Sequence, residues 1–319
     1  MGSRKDMLEP QAQSTPEGTI EQATPDPTGN ALIRGIVITI VGGALWGLNG
    51  TVAKYLMDVY RVEPLWLACA RELVACWLFL GAAWVRNRSR LTGVFHDRRS
   101  LASIVVIAIG AILFSQVAYL LAIDWTNSGT ATVLQALSMP IVLILVCIRT
   151  PRRPRRREVA GLILAFTGTY LMATGGNPSQ LALPPQGLFW GLMCAAAATI
   201  LSILPAQMMR KWGNFVVNGL AFLMSGLILA CVYHPWNHMP TLDAFGWALV
   251  AFSIVFGTFG AYGLYLQGVK EIGSVRGSIL STSEPLVATI TSVLLMGVSF
   301  SLPELLGMGC ILVTVVLTA

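Results

Sequence analysis

A carboxylate stands next to a proline in the stretch "STSEPLVATI", Ser281 to Ile290, where Glu284 and Pro285 interrupt an apolar run from Gly273 to Val298. A carboxyl group among apolar neighbours can take up and release a proton, or meet a cationic group of a ligand. Proline lacks the N–H that a helix needs and frees backbone groups one turn earlier. Two readings of Glu284 stand side by side: it handles substrate or protons, or a kinked helix opens on Pro285 with Ser283 or Glu284 capping its free backbone donors.

The other polar groups inside apolar runs are few. Gln116 and Tyr119 are three residues apart, as are Tyr262 and Tyr265, so each pair shares one helix face and suits the wall of a cavity. Tyrosines in that spacing also pack between helices with their hydroxyls bonded to a backbone carbonyl. Trp46 with Asn49, Trp190, Gln135 five residues before Pro140, and Ser281 complete the candidate substrate contacts; for Trp46 and Asn49 an interhelical hydrogen bond beside a packed indole is the alternative. Arg71 and Glu72 are adjacent, so on a helix they point about 100° apart and cannot simply neutralise each other. Arg71 lies near enough to the membrane surface to snorkel or to pair with a neighbouring helix.

This inventory suits binding rather than bond-making. No pair of intramembrane carboxylates, histidine cluster or Ser/His set is present for an enzyme. The three histidines fall between apolar runs, and the six cysteines occur singly, so neither a metal site nor a disulfide framework is expected. The glycines follow no strand and form no phosphate-binding loop; Gly43, Gly47, Gly187, Gly191, Gly257, Gly260 and Gly263 read as close-packing positions.

The elements that must position these residues follow from composition. The 319 residues are 55% hydrophobic and 11% charged, with a mean hydropathy of +0.69; soluble domains of this length rarely look so. Apolar runs long enough to cross the hydrocarbon layer as helices recur at 33–57, 65–85, 101–123, 129–148, 159–175, 187–209, 213–233, 244–269, 273–298 and 302–319. The expectation is an all-α membrane protein of about ten transmembrane helices. Glu284, about eleven residues into the ninth run, lies roughly 16 Å along its helix, near the midplane. Residues 1–32 are rich in Pro, Gln, Thr and Ser and read as a disordered cytoplasmic tail. No cleaved signal peptide is expected, because the first apolar run is span-length. The last run ends at Ala319 without a flanking charge, as a trimmed C-terminus would.

With the N-terminus in the cytoplasm, 18 of the 21 Lys and Arg residues fall on the cytoplasmic side, including the run "RTPRRPRRRE". That bias predicts the orientation, with both termini cytoplasmic, in the cell membrane. It also reads the pI of about 9.2 as attraction to acidic lipid headgroups rather than to nucleic acid.

The chain repeats itself. "GALWG" at 43–47 returns as "GLFWG" at 187–191. "LLAIDWTNSGTATVLQALSMPIVLIL" matches "LQGVKEIGSVRGSILSTSEPLVATI", pairing Pro140 with Pro285 as helix kinks, and "EVAG" at 158–161 returns as "ELLG" at 304–307. The units are 33–175 and 187–319, each of five helices. Five is odd, so the second enters the membrane from the opposite side, the inverted-repeat plan of many transporters. With a one-residue length difference placed in the turn between the paired helices, Gln116 aligns with Tyr262 and Tyr119 with Tyr265.

"WGLNGTVAK" in the first run, the Pro64 to Arg71 spacing in the second, the "A..L..L.P" pattern of Ala131 to Pro140 and the "EPL" of Glu284 to Leu286 resemble the EamA family of the drug/metabolite transporter superfamily, over roughly residues 34 to 319. The resemblance implies two inverted five-helix repeats around a central cavity, movement of amino acids, other small metabolites or toxic compounds, often outward, and no bound cofactor. This chain departs from the family where the first-repeat motif often carries Glu before its proline: here it is Met139.

The function expected is a secondary transporter exporting a small amino-acid-like or amphipathic solute by alternating access, with Glu284 as a candidate proton carrier. A passive channel, a non-transporting membrane scaffold and a membrane-embedded enzyme are the alternatives. The partners expected are a small-molecule substrate and the lipid bilayer, with the oligomeric state, monomer or dimer, left open.

Overall fold

The computed structural model describes residues 29–149 and 155–318, apart from the side chains of Ser274 and Val275. Residues 1–28 of the expected tail, and Arg152 and Arg153 of the arginine run, lie outside the described residues. Among the described residues, ten helical rods stand where ten spans are expected: α1 (Gly29–Tyr60), α2 (Pro64–Val94), α3 (Arg98–Trp125), α4 (Ser128–Gln135 with Ser138–Arg149), α5 (Arg156–Thr174), α6 (Pro185–Trp212), α7 (Asn214–Tyr233), α8 (Ala244–Ile272), α9 (Ser274–Leu280 with Ser283–Met296) and α10 (Leu302–Thr318). Helix α1 begins inside the expected tail, because residues 29–32 continue the helical turn set by the apolar run behind them.

Among the described residues, eight of these rods are long and apolar enough to cross a membrane, and α10 is a shorter apolar helix. Helix α5 opens on Arg156, Arg157 and Glu158, which explains its place outside the eight. Phe166 and Val85 are 84% and 85% exposed on the outer surface, an arrangement that lipid accepts and water does not. This is a multi-pass membrane protein.

The two halves interlock. Helix α2 packs along α7 and α5 along α10, while α1 lies against α8 and α9 just as α6 lies against α3 and α4. Glycines make these approaches possible. A Cβ at Gly168 would meet the carbonyl oxygen of Gly307 at 2.6 Å, and one at Gly307 would meet that of Gly168 at 2.7 Å, so α5 and α10 touch backbone to backbone. The packing reading of Gly43, Gly47, Gly187, Gly191 and Gly257 agrees with their close neighbours; Gly263 has open space around its Cβ position.

Both third helices of the repeats widen into a π segment, Ala108–Leu113 in α3 and Val255–Gly260 in α8, whose starts are 147 residues apart. The ends of the two helices, Trp125 and Ile272, keep the same offset. Pairing Gln116 with Tyr262 and Tyr119 with Tyr265 uses an offset of 146, so that alignment is one residue out of step with the backbone.

Candidate functional site

Pro140 and Pro285 each leave one carbonyl without its helical donor, that of Ala136 in α4 and of Ser281 in α9. In both repeats the residue before the proline fills the place: the Met139 N–H donates to the Ala136 oxygen at 3.2 Å, and the Glu284 N–H to the Ser281 oxygen at 3.0 Å. The helices break at 136–137 and 281–282. Backbone chemistry at the two kinks is the same, and only the side chain of the donating residue differs. The capping reading fails on this geometry. Pro285 is the third residue of Ser283–Met296, no side chain caps that segment, and Ser283 Oγ instead donates to the Ile40 carbonyl of α1 at 3.4 Å.

The two breaks face each other across a cavity of about 140 Å³, lined by Gln135, Ser138 and Met139 of α4 and by Ser281, Thr282 and Glu284 of α9. The Glu284 carboxylate accepts no hydrogen bond from any described residue. Gln135 Oε1 is likewise buried without a partner. Gly43 and Gly47 hold α1 against the α9 backbone here: a Cβ at Gly43 would strike Ser283 Oγ, and one at Gly47 the Glu284 carbonyl. Beyond the breaks the helices part. Ser128–Gln135 packs along Ser283–Met296, whereas Ser138–Arg149 leans on α5, α6 and α10. The cavity sits in the fork so formed.

The closed arm of the fork is tied by hydroxyls. Thr51 Oγ1 shares hydrogen bonds with Ser128 Oγ at 2.7 Å and Thr291 Oγ1 at 2.6 Å, and Ser128 Oγ with Ser292 Oγ at 2.8 Å. These groups join α1, α4 and α9 at the end where α1 finishes. Sequence reasoning passed over them, although Ser and Thr in apolar runs are known bridges between membrane helices.

A second group gathers around Trp46. Its ring centroid lies 4.9 Å from that of Tyr262 and 5.0 Å from that of Tyr265. Tyr265 donates its hydroxyl to the Gly277 carbonyl at 3.3 Å, the packing role, and Tyr262 stands edge-on to Phe79 at 5.9 Å. Asn49 is buried against Gly257 of the α8 π segment with Oδ1 unpartnered, and the Tyr119 hydroxyl is buried without a partner beside Gly50. The structure therefore brings Gln135, Ser281 and Glu284 together at one cavity, and Trp46, Tyr262 and Tyr265 into one aromatic cluster. Gln116, buried in α3, and Trp190, edge-on to Phe189 at 5.2 Å, line neither.

Arg71 does not snorkel. It is 4% exposed, and its Nε donates to Thr258 Oγ1 in the α8 π segment at 3.2 Å while Nη1 has no partner. Glu72, fully buried, turns the other way and accepts from Ser225 Oγ of α7 at 2.6 Å. The helical period showed the divergence of Arg71 and Glu72; it carried no sign of the depth of Arg71.

Comparison with known proteins gives the following. The sequence profile of the EamA-like transporter family matches residues 33–174 and 185–319. The chain is similar to the "Uncharacterized inner membrane transporter YicL" of Salmonella typhimurium (strain LT2), at 31% identity over 89% of this chain and 94% of that one. It is also similar to the "Uncharacterized transporter YwfM" of Bacillus subtilis (strain 168), at 21% identity over 86% and 89%. A crystal structure shares the fold with a TM-score of 0.59 at 17% identity, over 90% of this chain and 96% of that chain.

Proposed function

This chain belongs to the EamA-like transporter family, and on that premise we propose that it is a secondary transporter which exports a small amino-acid-like or amphipathic solute by alternating access, coupled to protons through Glu284. The observation that carries the reading is the Glu284 carboxylate, unbonded in a cavity where two proline-broken helices fork. A carboxyl group so placed is free to exchange a proton or to bind a cationic group of the cargo. Trp46, Asn49, Gln116, Tyr119, Gln135, Trp190, Tyr262, Tyr265 and Ser281 are the further candidate contacts. Those around the Trp46 cluster supply flat apolar surface for the amphipathic part of the solute.

With both termini in the cytoplasm, the hydroxyl tie of Thr51, Ser128, Thr291 and Ser292 closes the outer side and the fork opens inward. Release of the tie together with closure of the fork at the other end, where Arg34 already holds α1 to α8 through Glu271 (Nε at 3.1 Å, Nη2 at 2.7 Å), is the alternation proposed. Each half moves against the other around a fixed site, as inverted repeats allow.

The test begins with a thermal-stability screen of the purified protein against amino acids, nucleosides, sugars and cationic drugs, because a bound solute raises apparent stability by mass action. The solute found is then followed in proteoliposomes. Wild-type transport is expected to accelerate under an imposed pH gradient and to show counterflow, and Glu284→Gln to lose the response to the gradient. Gradient-indifferent wild-type transport, or a Gln variant as responsive as wild type, removes the coupling; absence of counterflow removes the carrier.

A further inference from the structure

Away from Glu284, where α2, α6 and α8 end, lies a separate cavity of about 130 Å³. Its wall is cationic. Arg86 and Arg90 of α2 and Lys270 in the last turn of α8 line it, with Asn87, Trp212 and Asn214 between them, and no carboxylate does. None of the three cations forms an ion pair or hydrogen bond with another described residue. Like charges gathered at one space repel one another unless something of opposite sign sits among them.

The backbone adds to the same demand. Asn87 leaves the helical conformation (φ −150°, ψ 52°) and interrupts α2 between the two arginines. Gly213, at φ 87° and ψ 154°, takes a conformation open to glycine almost alone and turns the chain at once from α6 into α7. The first turn of the 20-residue α7 thereby meets the cavity at Asn214, and no side chain caps its N–H groups. Those free donors and the positive end of the helix dipole favour an anion. Trp212 Nε1 is a further donor, buried without an acceptor. Arg86 is held in place by Phe215, its guanidinium carbon 5.1 Å from the ring centroid.

We propose that this pocket binds a phosphate group, with Arg86 and Arg90 on its oxygens, Lys270 as a point charge opposite, and the α7 N-terminus and Trp212 as neutral donors. Planar guanidinium forks can meet two phosphate oxygens at once, whereas the ammonium of Lys270 adds a single point charge. The phosphate comes either from the headgroup of an anionic lipid at the membrane surface or from a soluble phosphate ion. The site stands apart from the Glu284 cavity, so it does not depend on the transport reading.

The purified full chain in neutral detergent micelles is titrated separately with phosphatidylglycerol, with diacylglycerol of the same chain length and with inorganic phosphate, reading bound species by native mass spectrometry and the melting temperature. One phosphatidylglycerol, or one phosphate, is expected to bind and raise the melting temperature. Phosphatidylglycerol bound at concentrations where phosphate is not assigns the lipid as source; phosphate binding without lipid binding assigns the ion. Arg86→Gln with Arg90→Gln should weaken the ligand about 30-fold, and Lys270→Gln about fivefold. The single variant keeps the test readable if the double variant does not fold. Arg98→Gln with Arg99→Gln removes the same charge from exposed positions on α3 and should leave binding within about twofold. The proposal is overturned if neither ligand binds, if diacylglycerol binds as well as phosphatidylglycerol, or if the α3 variant weakens binding as much as the pocket variants.

Discussion

Adjacent residues in α2 serve different neighbours: Arg71 reaches Thr258 of α8 and Glu72 receives Ser225 of α7. Each keeps one polar atom unpaired, Arg71 Nη1 and Glu72 Oε1, so each remaining bond matters. Hydrogen bonds between membrane helices contribute about 0.6 kcal/mol on average and up to about 1.7. Ser225→Ala is therefore expected to lower stability by about 1 kcal/mol in a thermal melt, with little further loss in Glu72→Leu/Ser225→Ala beyond Glu72→Leu alone, since leucine removes the acceptor. Additive losses in that double-mutant cycle would show that the bond carries no energy. At the same scale, Glu284 differs from its repeat partner Met139 only in the side chain, since both N–H groups answer the same proline. The carboxylate is therefore superfluous to the kink, and Glu284→Gln is expected to leave the melting temperature within about 1 °C while altering transport.

Helix ends and crossings are the next scale. Asp97 caps α3 by accepting from the Arg99 and Ser100 N–H groups at 3.1 Å, and it binds Lys211 at the end of α6. The Lys211 ammonium first, then the Ser100 donors, hold its carboxyl well below the usual carboxylate range. A depressed folded value means that the contribution is present above the unfolded value of about 4 and is lost as pH falls through the lower, folded one. Asp97→Ala should accordingly melt lower than wild type at pH 7, and the gap should close on acidification below about pH 4; a gap independent of pH would remove the ionic part of the cap. Where α5 crosses α10, Gly168 and Gly307 leave no room for a methyl group. Gly168→Ala is expected to force the helices apart at about 1–3 kcal/mol, read as a lower melting temperature, while Gly81→Ala, with nothing within 4 Å of its Cβ position, should change little. The glycine, proline and length signals of these elements were all legible in the sequence, because they depend on residues within one or two turns. The π segments were not, since a widened turn in α3 or α8 is stabilised by what packs against it from α1, α2, α6 and α7.

Across the whole molecule, the joining of α1, α4 and α9 at Thr51, Ser128, Thr291 and Ser292 is what the proposed alternation has to release. Thr51→Cys with Thr291→Cys, in a background without the six native cysteines, is expected to stop transport on oxidation and to regain it on reduction. Unchanged transport in the oxidised protein would show that this end does not open. The ten rods, the repeat and the two proline kinks were decided by the sequence alone: hydrocarbon thickness sets a length for apolar runs, and proline breaks a helix wherever it falls. Which polar groups meet was decided only by the tertiary structure. Arg71 with Thr258, Thr51 with Thr291, and Arg86 with Lys270 are separated by well over a hundred residues, and in runs that are apolar on nearly every face no period marks which side turns inward. Lipid drives helices together through close packing rather than through the hydrophobic effect, so small residues mark that helices touch, and only their mutual rotation settles which side chains share a site.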